Sequence, residues 1–194
     1  MDKDYLPDVE DYLERLKDVY DKLDRNQINK VMNALMDAYE AGKNIFIFGN
    51  GGSSATASHY VCDFNKGVSI CLDKKFRFTC LNDNVPSIMA IANDCGFEKI
   101  FRMQLESHME DGDYVFAISG SGNSKNVIEA VEYAKSRGGK VISLTGYSGG
   151  KLLPLADYPI HVNVDNMQLA EDVHMMVCHL IASILARKFG HPMC

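Results

Sequence analysis

Hydrophobic positions change their period once along this chain. At first they recur at helical spacing: Leu13, Leu16, Tyr20 and Leu23 stand three and four residues apart, as on one face of a helix. Asp24–Arg25–Asn26 interrupts the series. A second helix then carries Ile28, Val31, Met32, Leu35, Met36 and Tyr39, and Gly42 suits its C-terminal cap. Beyond it come short unbroken apolar runs: Asn44–Phe48, Phe78–Leu81, Tyr114–Ile118, Val141–Thr145 and Ile160–Val164. Runs of this length bounded by Gly, Asn and Asp read as strands buried on both faces. Helical patterns lie between and after them, over 53–64, 86–108, 124–137 and 167–189. Alternating strand and helix predicts an α/β fold, a doubly wound parallel sheet with helices on both faces. The chain reads as one domain, 1–194, with an N-terminal helical extension (1–42) before the α/β body (43–194). The body is complete without those two helices, so they are expected to join a helical bundle between subunits. Packing on their own domain is the plainer alternative.

Composition narrows the class. The chain has 194 residues, 46% hydrophobic and 24% charged, which suits a folded domain with a substantial core. Net charge is −6, and Lys and Arg form no run or stripe, so nucleic-acid binding is not expected. The charged N-terminus lacks the apolar region of a secretory signal, and the apolar stretches read as too short to span a bilayer. A cytoplasmic location follows as the expectation. Six cysteines, Cys62, Cys71, Cys80, Cys95, Cys178 and Cys194, include no CxxC pair. They read as reduced, buried thiols rather than disulfides or a cysteine zinc site.

Two loops carry chemistry. Gly49-Asn-Gly-Gly-Ser-Ser54 and Ser119-Gly-Ser-Gly-Asn-Ser124 each leave a strand and enter a helix. Glycines let backbone approach a ligand closely, and hydroxyls with helix N-terminal amides satisfy an anion without lysines. Neither loop has Walker spacing, and the first lacks the third glycine of a dinucleotide fingerprint. One such loop alone is as readily a serine-capped turn; two in one α/β unit point to phosphate. On the helix after the first loop, His59 and Asp63 share a face at i, i+4. The C-terminal helix carries Glu171, Asp172, His174 and His179. Imidazoles and carboxylates together suit zinc or another divalent first-row metal. Taken singly, Glu171 and Asp172 read as helix-dipole partners, and His108, His161 and His191 as bonded core or interface residues.

The strings FGNGGSSATASHYVCDF, ANDCGFEKIF, ISGSGNSKNVIEAVEYAKSRGGKVISLTGYSGGKL and EDVHMMVCHLI resemble the sugar isomerase (SIS) domain family, most closely its phosphoheptose isomerase branch, over nearly the whole chain. The resemblance implies a five-stranded parallel sheet, a homotetramer with active sites at subunit interfaces, and aldose–ketose isomerisation of sedoheptulose 7-phosphate through an enediol. It places metal ligands at His59, Asp63, Glu171 and His179, and the catalytic pair at Asp63 and His179. Sugar-phosphate contacts fall on Asn50, Gly51, Gly52, Ser53, Asn93, Asp94, Ser119, Gly120, Ser121, Ser124 and Glu171. Four positions depart from the family pattern: Asp63 stands for glutamate, Glu171 for glutamine, Gln168 for aspartate and Gly120 for threonine. These changes motivate two alternatives, an isomerase of another phosphosugar and a non-catalytic sugar-phosphate-binding or regulatory protein. Glu171 and His179 are eight residues apart, about 12 Å along a continuous helix. Their meeting at one ion requires an irregular helix or two protomers.

Overall fold

The structure, a computed structural model, describes residues 3–192. Helices α1 (Leu6–Lys22) and α2 (Arg25–Ala41) precede β1 (Ile45–Gly49). The Asp24 carboxylate accepts from the Asn26 and Gln27 amides at 2.8 and 3.4 Å, so the break between the helices is an N-cap. Gly42 closes α2 in the left-handed region, φ 67°. Helix α3 (Gly52–Cys62) continues into a π-helical turn, Asp63–Val68, before β2 (Phe78–Cys80). Next come α4 (Val85–Cys95), a 3₁₀ turn (Phe97–Lys99), α5 (Arg102–His108), β3 (Tyr114–Ser119), α6 (Lys125–Ser136), β4 (Lys140–Thr145), β5 (Tyr158–His161) and α7 (Met167–Lys188). The single helix expected over 86–108 is therefore three segments. Gly96 divides it at φ 103°, ψ 147°, where a residue with a Cβ would be strained. The fifth strand leaves the ladder earlier than its apolar run suggests, at His161, though the Val162 amide still reaches the Thr145 carbonyl at 2.8 Å.

All five strands are parallel in the order β2-β1-β3-β4-β5, as expected for a doubly wound sheet. The direction of winding reverses between β1 and β3, and at such a switch point the following loops splay apart and leave a crevice. The central strands are buried throughout. Ile45, Ile47, Phe116, Ile118, Ile142 and Leu144 face the layer of α2, α3 and α7, while Phe46, Phe48, Val115, Ala117 and Val141 face α5 and α6. The free edge of β2 is closed locally: Asn65, in the π-helical turn, donates to the Phe78 carbonyl at 2.8 Å and accepts from its amide at 3.0 Å. This side chain copies the pairing of a missing neighbour strand.

Helix α2 packs on its own domain against β5 and α7. Helix α1 buries no residue. Leu16, Val19 and Tyr20 rest against the core and Tyr12 donates to Asp172 at the start of α7, but Tyr5, Leu6, Val9 and Leu13 are exposed. Helix α7 corrects one sequence expectation, being long and apolar enough to cross a membrane by length and composition. Its apolar positions, Val173, Val177, Ile181 and Leu185 among them, are instead buried in the core. The described cysteines are all free thiols. Cys80 and Cys178 are buried as expected, but Cys62, on the outer side of α3, and Cys71, in the turn after the π-helical segment, are exposed; Cys194 lies outside the described residues.

Candidate active site

The two glycine- and serine-rich loops lie side by side because their strands are neighbours, with Gly49 of β1 paired to Ile118 of β3. The first cannot carry a side chain at its start: a Cβ on Gly49 would stand 2.7 Å from the Ser53 Cβ and 2.8 Å from the Ile118 carbonyl oxygen. Neither Gly51 nor Ser124 caps the helix that follows it with a side chain, so the N-termini of α3 and α6 keep donors available to an anion. Between the loops is a pocket of about 130 Å³, walled by Asn50 and Ser53 from the first loop and Ser119, Gly120, Ser121 and Ser124 from the second. Met167 and Glu171 of α7 complete the wall. The Ser119 and Ser124 hydroxyls are 3.2 Å apart, and the Gly122 amide donates to the Ser119 hydroxyl at 3.1 Å. A larger open groove of about 570 Å³ beside β2, lined by Phe46, Val61, Leu81 and His108 among others, includes neither loop.

One and a half turns beyond the first loop, His59 and Asp63 meet His179 of α7. The two imidazole Nε2 atoms are 2.9 Å apart, and Asp63 Oδ2 lies 3.4 Å from His59 Nε2 and 3.9 Å from His179 Nε2. All three candidate ligand atoms fall within 4.8 Å of one another. Donors about 3.3 Å apart are what a tetrahedral ion with bonds of roughly 2.0–2.1 Å requires. Two Nε2 atoms facing each other also cannot both carry protons, which a shared cation resolves. The residues therefore fit a divalent metal held by three protein ligands with a position left open, the arrangement of catalytic rather than structural zinc sites. Asp63 is the least exposed of the three, and behind it the Cys178 thiol points at Oδ2 from 3.9 Å. Burial, reinforced by the Asp63 charge, pushes the Cys178 pKa well up and keeps the group a thiol.

Glu171 is not in this cluster. Its carboxylate packs on the Cα of Gly52, where a Cβ would lie 2.3 Å from Oε2, and it faces the small pocket. Helix α7 is continuous from Met167 to Lys188, so the axial separation from His179 is real. Within one chain the four-residue ligand set divides into a three-residue cluster and a carboxylate in the wall of the small pocket. Gly51 and Gly52 lie between Asn50 and Ser53 in the chain but are not in the wall of that pocket, and Asn93 and Asp94 are exposed on α4, paired with each other at 2.7 Å and likewise absent from its wall. Gly120 faces Met167, whose Sδ would be 2.4 Å from a Cβ there, so the space of a larger residue is already filled. His174 is fully buried with neither ring nitrogen bonded. Burial lowers its pKa to about 4, with the nearby Thr145 backbone opposing weakly and not in bonding geometry. His108, His161 and His191 each bond a backbone carbonyl. Sequence reasoning missed Met167 and Asn126. The signal for Asn126 is its place in the core-facing stripe of α6 with Ala130 and Ala134.

A pocket at the switch point of a five-stranded parallel sheet, with a His–Asp–His cluster beside it, defines a doubly wound α/β domain built to take a small ligand. The model of the SIS domain family matches residues 4–146, and the chain belongs to that family, within its phosphoheptose isomerase branch. The "Probable phosphoheptose isomerase" of Thermoplasma acidophilum is 36% identical over 182 residues, covering 94% of this chain and 100% of that protein. The phosphoheptose isomerase of Helicobacter pylori strain P12 is 33% identical over 168 residues, 86% of each chain. Among solved structures, a phosphoheptose isomerase from Francisella tularensis superposes with a TM-score of 0.87 at 27% identity, over 95% of this chain and 100% of that one.

Proposed function

We propose that this protein is an aldose–ketose isomerase that converts sedoheptulose 7-phosphate to D-glycero-D-manno-heptose 7-phosphate through an enediol. The observation that carries the reading is that a phosphate-sized pocket and a His–Asp–His cluster share two elements, α3 with its π-helical continuation and α7. The Ser119, Ser121 and Ser124 hydroxyls and the amides at the starts of α3 and α6 hold the phosphate. Glu171 accepts from a sugar hydroxyl. Asp63 or His179 moves the proton, through an atom not engaged in holding an ion: it is taken from the carbon beside the carbonyl and returns to the neighbouring carbon as the enediol collapses. A hydroxyl proton shifts in the opposite sense, so no proton is gained or lost overall. His59, Asp63 and His179 would hold zinc or another divalent first-row ion, which when bound polarises the substrate oxygens.

The active form is a cytoplasmic homotetramer. The exposed apolar face of α1 is covered by another protomer, and Asn93 and Asp94 serve a neighbour's site. The test is turnover of sedoheptulose 7-phosphate by Asp63→Asn and His179→Ala, each checked for native circular dichroism and oligomer mass. Losses of about 10²–10⁴-fold are expected of a proton-transfer residue; undiminished activity in both variants removes the mechanism. Faster turnover of a hexose or pentose phosphate by the wild type would reassign the substrate and leave the site intact.

A further inference from the structure

Asn50 stands at the centre of the first loop, and its side chain is already engaged. Its Nδ2 donates to Asn126 Oδ1 at 2.9 Å, and Asn126 Nδ2 donates back to Asn50 Oδ1 at 2.9 Å. The orientation of the pair is fixed, because Asn126 Oδ1 also accepts from the Val127 amide at 3.0 Å, so that end must be the carbonyl. Asn126 is 2% exposed and sits in the first turn of α6, directly after the serine loop. From the opposite side, Asn82 bonds both backbone groups of Gly49, at 2.9 and 3.2 Å. The first loop is thus fastened to β2's end on one flank and to the second loop's helix on the other.

We infer that Asn126 is a positioning residue that sets the gap between the two anion loops through Asn50, whose side chain is held at the pocket wall by this lock. Buried amides in reciprocal pairs are costly to leave half-made, so the lock persists when the pocket fills. The inference rests on the phosphate reading of the pocket.

The test uses the full-length protein in its native oligomer and inorganic phosphate as the probe, by calorimetry well below the unfolding temperature. Asn50→Ala and Asn126→Ala are each expected to weaken phosphate binding about tenfold, the effect of losing roughly one hydrogen bond's worth of preorganisation. The double variant is expected to be no weaker than either single one, since both break the same pair. Cobalt affinity at the His59 cluster stays unchanged, which separates the effect from general loosening. Loss in Asn50→Ala with wild-type binding in Asn126→Ala, or additive losses in the double variant, overturns the inference. Should Asn126→Ala fail to fold, a crystal structure of the wild type with phosphate decides: the pair intact supports the lock, and Asn50 turned onto the phosphate contradicts it. A wild type that binds no phosphate overturns the pocket reading and this inference together, whereas equal binding by wild type and Asn126→Ala overturns the inference alone.

Discussion

Asp63 is 13% exposed, while the His59 and His179 side chains beside it are 41% and 53% exposed. The cluster is therefore more open at its imidazoles than at Asp63. His174, one turn before Cys178 on α7, is a fully buried titratable group near the site, and it fixes a pH dependence. Its pKa is about 4 in the folded chain against its ordinary value of 6.5, so the unfolded chain holds more protons between those values and stability falls as pH drops through that window. The full effect is about 3 kcal/mol. Denaturant unfolding at pH 7 and pH 4 should show the stability gap between wild type and His174→Gln shrink by about that amount; a pH-independent gap contradicts it. His59 and Asp63 were legible as candidates because they stand at i, i+4 on the helix after a glycine loop, and His179 was legible through the family resemblance. The placement of Glu171 was not. Only the contact of its carboxylate with Gly52 tells the anion pocket from the cation cluster.

Among the elements, the strands announced themselves through unbroken apolar runs, since a sheet covered on both faces leaves no polar alternation. The π-helical turn did not. The helical pattern of the sequence runs only to 64, inside the turn, and the wider winding shows only in the backbone. It matters twice, since Asp63 begins it and Asn65 closes the β2 edge from it. Asn65→Ala leaves the Phe78 amide and carbonyl without partners and is expected to cost about 2–4 kcal/mol, from two unsatisfied backbone groups. Chemical denaturation measures it, and a loss below about 0.5 kcal/mol would show that water replaces the clamp. The break at Gly96 was hidden for another reason: apolar residues keep helical spacing on either side, and one glycine in a helix is ordinarily tolerated.

For the whole molecule, α1 is amphipathic yet leaves Tyr5, Leu6, Val9 and Leu13 in solvent. In one chain that face has no partner, and the proposed tetramer supplies one. Val9→Glu combined with Leu13→Glu should lower the mass measured by light scattering and reduce turnover, because Asn93 and Asp94 then lose the neighbour they serve. An unchanged tetramer in the double variant would place the interface elsewhere. The sequence pattern could raise this bundle reading, since two helices stood outside a complete α/β body. The structure divides the pair: α2 belongs to the domain, and α1 alone is left uncovered.

In the proposed reaction this site isomerises a sugar phosphate with the help of a metal-loaded His59–Asp63–His179 cluster. It is tested most directly by an NMR time course with sedoheptulose 7-phosphate in D2O, run on the metal-loaded protein and on the same protein after chelation. Conversion to an aldoheptose 7-phosphate that the chelator abolishes and restored metal recovers is expected. No conversion by the loaded, correctly assembled protein, or conversion indifferent to the chelator, would contradict it.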